Sequence, residues 1–139
     1  MEKHLFITVQ VTVNIEPETA WKLWTTPADI QQWNVPFPNW HTPLVENDVK
    51  AGGRFNYKME ALDGNAGFDF TGTYSEVKAP GLIAYTLDDG RKAYNTFTPQ
   101  GNQTIVTESF EPEGSLPAEK QKEFCLTVLN KFKEYAGLR

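Results

Sequence analysis

Two side chains in this sequence have the chemistry to move a proton inside a pocket, Glu108 and His41. Glu108 lies in a strand-like stretch, residues 104–110, in phase with Val106 and Phe110, so it points inward if they do. A carboxyl removed from water holds its proton more tightly and can act as an acid or hydrogen-bond a ligand. The other reading is a local bulge, or a pairing with Arg54 or Lys58, that turns it to solvent. His41 follows Trp40 in a loop stiffened by Pro36, Pro38 and Pro43. Its imidazole titrates near neutral pH and is a natural general base, or it is a loop histidine stacked on a neighbour in solvent. Both are candidates only; the sequence leaves the catalytic residues, and any reaction, unknown. The second histidine, His4, is near the N-terminus, and Cys125 is the only cysteine. Cys125 falls on the apolar stripe of the last helix, where a thiol behaves as a small hydrophobe, and no base or cation adjoins it to form a thiolate. No intramolecular disulfide, zinc spacing, nucleophile elbow, phosphate loop or dinucleotide motif is present, so neither a metal nor a cofactor is expected.

These residues must be held by a scaffold, and hydrophobic periodicity outlines it. Leu5, Ile7, Val9, Val11, Val13 and Ile15 alternate with polar residues, which predicts a long half-buried strand, with Phe6 interrupting the polar side. Pro17 suits a first helical position, with Ala20, Leu23 and Trp24 as an apolar stripe. Thr26 is placed to cap a second short helix opened by Pro27, with Ile30 and Trp33 one turn apart. All four tryptophans, Trp21, Trp24, Trp33 and Trp40, fall in this connection. Such clustering suits the end wall of a hollow domain, with Trp40, beyond the helices, at a ligand entrance. Gly52-Gly53 opens the next strand. There Phe55, Tyr57, Met59 and Ala61 share a face, followed by Phe68, Phe70, Gly72 and Tyr74, with Gly72 leaving room between its neighbours. Turn signals at Asp63-Gly64, Ala79-Pro80-Gly81, Asp89-Gly90 and residues 99–102 divide the remaining strands. A terminal helix follows, capped by Ser115 or Leu116. It carries Cys125, Val128, Leu129, Phe132, Tyr135 and Ala136 at helical spacing and ends at a left-handed Gly137, with Leu138 folded back on Phe132.

The 139 residues, 40% hydrophobic and 13% aromatic, suffice for one folded domain over residues 1–139, with a choice between an aromatic-filled core and an aromatic-lined cavity. A net charge of −5 argues against nucleic acid, and Lys120, Lys122, Lys131 and Lys133 are offset by Glu119, Glu123 and Glu134. No apolar run approaches the ~20 residues of a membrane span, so no membrane insertion and a cytoplasmic protein are expected. Strand, two small helices, a run of antiparallel strands and one long helix imply an α+β arrangement: a curved antiparallel sheet of six to seven strands around the C-terminal helix.

The run 15–21 (Ile-Glu-Pro-Glu-Thr-Ala-Trp), Thr26-Pro27 and Trp33, the run 48–55 ending in Gly52-Gly53-Arg54-Phe55, and Met59-Glu60-Ala61, Phe68-Asp69-Phe70, Gly72, Tyr74, Thr104, Glu108 and Phe110 together carry a resemblance. In that order they resemble the START-like, birch-pollen-allergen-like superfamily, and within it the homologues of the heat-shock-protein-90 ATPase activator, a polyketide-cyclase-like group. One departure is Glu123-Phe124, where many relatives carry Gly-Trp. The resemblance implies a helix-grip fold with a hydrophobic cavity between sheet and terminal helix that binds a lipid- or polyketide-like molecule. The candidate ligand-binding set is Trp40, His41, Phe55, Tyr57, Met59, Phe68, Phe70, Tyr85, Glu108, Phe110, Val128 and Phe132, with Tyr57, Tyr85 and Tyr94 as polar tips. The alternatives are a cyclase- or hydrolase-type enzyme using the same cavity, or a co-chaperone-like interaction domain with a chaperone partner. The chain is expected to be a monomer or homodimer.

Overall fold

A computed structural model describes residues 6–35 and 37–138; the expectations attached to His4, Leu5 and Pro36 lie outside the described residues. Strand β1 (Ile7–Val13) buries Val9, Val11 and Val13 on one face, as period-two alternation requires. Helices α1 (Pro17–Thr25) and α2 (Pro27–Trp33) each start on a proline. Thr26 stands at the N-cap of α2, but its hydroxyl donates back to the Lys22 carbonyl at 2.7 Å instead of capping. Then follow β2 (Trp40–Asn47), β3 (Arg54–Ala61), β4 (Gly67–Lys78), β5 (Leu82–Leu87), β6 (Lys92–Gln100), β7 (Gln103–Phe110) and α3 (Ala118–Ala136).

The seven strands form one antiparallel sheet in the order β1-β7-β6-β5-β4-β3-β2. From β2 to β7 the chain is a meander of hairpins, and β7 then pairs with β1. Consecutive strands β1 and β2 therefore occupy opposite edges, and the connection between them must cross the whole width of the sheet. Helices α1 and α2 make that crossing, α1 against β6 and β7 and α2 against β2. Register shifts in β2 between His41 and Leu44, and in β4 between Tyr74 and Glu76, are bulges of the kind that bend strands. The proline-rich stretch is not all loop: His41 and Pro43 belong to β2, where an edge strand with a bulge tolerates the missing N–H.

Helix α3 lies along β1 and touches α1 and α2. It buries Gln121, Cys125, Leu129, Phe132 and Ala136. Neither Ser115 nor Leu116 caps it. Pro117 holds the N-cap position, and the Gln121 amide ties down the preceding turn by donating to the carbonyls of Glu113 (2.7 Å) and Leu116 (2.9 Å). Gly137 is right-handed at φ −69° and Leu138 is exposed, so the helix ends without the expected left-handed turn and fold-back. At the closed end of the curve Trp24 stacks on Trp33 (ring centroids 4.6 Å apart), and Phe132 meets both edge-on at 5.0 and 5.1 Å. The buried Trp33 Nε1 donates to the Leu23 carbonyl at 3.0 Å, which meets the polar requirement of an interior indole.

Candidate functional site

The concave face of the sheet does not collapse onto α3. Between them lies a cavity of about 860 Å³, open at one end. Its sheet wall is built by register. Phe55 on β3 pairs with Gly72 on β4, Tyr57 with Phe70, and Met59 with Phe68, so all project to the same side. Phe55 contacts Tyr57, Phe70, Tyr74 and Tyr85 with centroids 5.7, 5.6, 5.1 and 5.2 Å away. Gly72 makes this possible: a Cβ there would stand 2.8 Å from the Phe55 ring and 2.7 Å from the Thr86 carbonyl oxygen. The room that Gly72 leaves is thus taken by Phe55, not offered to a ligand.

Deeper in, one row runs across three strand pairs. Ile83, Asn95, Glu108 and Val9 are successive partners on β5, β6, β7 and β1. The ladders on both sides of Glu108 run without a bulge, so its carboxyl points to the concave side. Neither Arg54 nor Lys58 turns it outward, and Arg54 instead holds Asp88 through two bonds of 3.0 and 2.8 Å. The residue is half-buried because its head faces the cavity while protein surrounds it on the other sides. Loss of water pushes the Glu108 carboxyl above its ordinary 4.5, partly offset by hydrogen-bonding influence from Cys125, Asn95 and Tyr85. The Tyr57 and Tyr85 phenols are pushed well above their usual range, mainly by burial and then by neighbouring tyrosines and Glu108. The Cys125 thiol is raised too, by burial and by Glu108. Phenols and thiol therefore stay protonated at neutral pH and serve as donors, and Cys125 is no nucleophile. Glu108 is the group here with acid–base capacity.

Of the residues picked out by sequence, Phe55, Tyr57, Met59, Phe68, Phe70, Tyr85, Glu108, Phe110 and Val128 line the cavity. Phe132 does not; it is fully buried behind Trp24 and Trp33, which do. Trp40 stands behind the rim, between Phe37 (5.7 Å) and Phe68 (5.8 Å), which themselves form part of the lining. His41 pairs across the edge with Glu60, Nε2 to Oε1 3.2 Å, on the convex side away from the cavity. Tyr94 is likewise on the convex side, against Phe6 at 5.8 Å, and supplies no polar tip. Sequence reasoning passed over Asn95, although its alternation with buried Ala93 and Phe97 was a usable signal. It also passed over Phe37, which meets Phe124, a residue singled out as a departure from the family pattern, at 5.6 Å across the mouth. Among the described residues, no group of three or more His, Cys, Asp or Glu side chains is arranged to hold a metal ion, and no helix is long and apolar enough to cross a membrane.

No curated protein matches this chain. Solved structures do. An AHSA1-like protein from Aeromonas hydrophila is 37% identical, with a TM-score of 0.91 over 97% of this chain and 96% of its own. A protein from Cytophaga hutchinsonii is 47% identical, with a TM-score of 0.82 over 93% and 90%. A Chromobacterium violaceum protein at 18% identity shares the fold, with a TM-score of 0.83 over 94% and 96%. The model of the family described as activator of Hsp90 ATPase homolog 1-like protein matches residues 14–137. That span runs from the end of β1, through the helical crossing and the whole meander, to the end of α3, so the chain belongs to this family.

Proposed function

We propose that this chain binds a small apolar or aromatic molecule in the cavity between the sheet and α3. Residues 1–139 act as one ligand-binding domain. The observation that carries the reading is the cavity itself, about 860 Å³ of space walled by Phe55, Tyr57, Phe70 and Phe110 with a few polar heads at the inner end. That is the size and lining of a small-molecule site. Trp24 and Trp33 both line it, so their fluorescence reports occupancy. Titration with apolar aromatic and lipid-like probes should give a saturable change, weakened by Val128→Trp, which projects into the space from α3 and leaves the sheet residues unaltered. A wild-type protein that responds to none of the probes would overturn the reading.

A second reading is favoured by one observation, the inward Glu108 carboxyl with its raised pKa. In this reading the same cavity performs acid–base chemistry of the cyclase or hydrolase type. It predicts turnover of a bound substrate that disappears in Glu108→Gln while the circular dichroism spectrum stays unchanged.

A further inference from the structure

Asn95 is 1% exposed, lines the cavity, and its Nδ2 makes no hydrogen bond. Unpartnered buried donors are rare in folded proteins and call for an explanation. On one side its cross-strand partner is Ile83, which offers nothing polar; on the other it is Glu108. The Glu108 carboxyl is close enough for Asn95 to favour its charged form, yet the pair does not reach hydrogen-bond geometry. The two heads thus stand side by side at the inner end of an aromatic cavity, one with an unused donor, the other with acceptor capacity.

The chemistry that completes this pair is narrow. A ligand carbonyl would satisfy Asn95 but leave an ionised Glu108 unserved, and serves both heads only when Glu108 holds a proton. A ligand carboxylate would set like charge beside an ionised Glu108, and an ammonium, which has no lone pair, would leave Nδ2 unmet. A hydroxyl does both on one oxygen, accepting from Nδ2 and donating to the carboxylate. If Glu108 is protonated, the hydroxyl still accepts from Nδ2 and donates to the carbonyl oxygen of the acid. Directly opposed side chains on adjacent strands stand about 5 Å apart at Cβ, close enough for a single oxygen to touch both heads. The walls beside them, Phe55, Tyr57 and Phe110, suit a flat ring. We propose that Asn95 and Glu108 form a hydroxyl-recognition site, and that the ligand is an aromatic molecule carrying a phenol-type hydroxyl at its buried end. This rests on the cavity being a ligand site.

The test compares 2-naphthol with 2-methylnaphthalene, which has the same rings with a methyl in place of the hydroxyl, by NMR titration of ¹⁵N-labelled protein. The wild type should prefer 2-naphthol by at least about tenfold, since a site built around a hydroxyl rejects the analogue lacking it. At saturation the Asn95 side-chain amide proton should lie downfield with 2-naphthol relative to 2-methylnaphthalene, whose rings act alike on it but which accepts no hydrogen bond. Asn95→Leu and Glu108→Met should each erase the preference while keeping affinity for 2-methylnaphthalene. If both probes bind equally well, the pair is served by water, and the hydroxyl site is refuted while the cavity reading stands. A preference that survives both substitutions, or an Asn95 signal no further downfield with 2-naphthol than with 2-methylnaphthalene, refutes the assignment to these residues even if a variant fails to fold. If neither probe binds, the aromatic-ligand reading itself falls, and this inference with it.

Discussion

Glu108 and Asp88 are carboxylates pushed in opposite directions, and the cause in each case is local. Burial raises Glu108 above 4.5, so the folded chain keeps a proton that the unfolded chain gives up. Its contribution is most favourable below that ordinary value, and stability falls as pH rises through the window up to the folded pKa. Glu108→Gln removes the penalty. Thermal melts from acid to neutral pH should therefore show the variant gaining on the wild type as pH rises, and a constant gap between the two would contradict the burial argument. Asp88, on the convex surface, is held at about 2 by hydrogen bonds from Arg54 and Thr71. Its contribution is present above the usual 3.8 and is lost as pH falls toward about 2. Asp88→Asn should flatten the acid limb of the stability profile over that interval, being modestly less stable than the wild type at neutral pH and converging with it as pH falls toward about 2, as measured by denaturant titration at a series of pH values.

At the scale of elements, close approach between strands and helices depends on a few contacts. Phe55 lies flat over β4 only because residue 72 has no Cβ. Gly72→Ala must displace the ring or the Thr86 carbonyl, an overpacking expected to cost about 1–3 kcal/mol. The displaced ring would also enter the cavity, so thermal denaturation and probe affinity should both fall. The attachment of α3 to α2 includes the Tyr135 hydroxyl donating to Asp29 Oδ1 at 2.5 Å. Tyr135→Phe removes that bond and should cost about 1 kcal/mol, below the usual ~1.5–3 kcal/mol for a charged acceptor because both residues are only half-buried. Chemical denaturation would show the loss as a lower midpoint with an unchanged slope. On the other side of the crossing, Asn47 Nδ2 donates to the Thr25 carbonyl at 2.8 Å while its Oδ1 accepts from the Tyr74 hydroxyl, which ties the end of α1 to β2 and β4.

For the whole molecule, the order β1-β7-β6-β5-β4-β3-β2 explains both the tryptophan cluster and the cavity. A connection that must cross seven strands closes one end of a curved sheet, and large side chains do this with few residues. Trp24, Trp33 and Phe132 fill that end, while α3 follows β1 and leaves the region over β3, β4 and β5 unfilled. The end wall and the cavity are separable in this arrangement. Phe132→Ala should cost about 3–5 kcal/mol, as a fully buried aromatic does, and would be read in equilibrium unfolding. Val128→Trp should leave the unfolding midpoint within about 1 kcal/mol of wild type, because Val128 is half-exposed on the cavity side of α3, while occupying the ligand's space. A Val128→Trp protein as unstable as Phe132→Ala would show instead that the space is needed by the core.

Much of this was legible without coordinates. Period-two alternation placed Val9, Val11, Val13, Phe55, Tyr57, Met59, Phe70 and Tyr74 on a common side, because pleating leaves a strand residue only two directions. The 3.6-residue period did the same for Cys125, Leu129, Phe132 and Ala136. The phase of Glu108 with Val106 and Phe110 was likewise readable. Proline misled where only tertiary context decides: Pro43 forbids helix, but an edge strand accepts it, and that strand turns His41 outward to Glu60. Caps misled in the same way, since the Thr26 hydroxyl and the Gly137 backbone choose among near-equal local bonds. What the sequence by itself determined is which side chains share a face. Only the tertiary structure decided that the faces stand far enough apart to leave a cavity, and that Asn95 and Glu108 meet inside it. Both depend on strand register and on the distance between sheet and helix, which arise from contacts between residues remote in the chain.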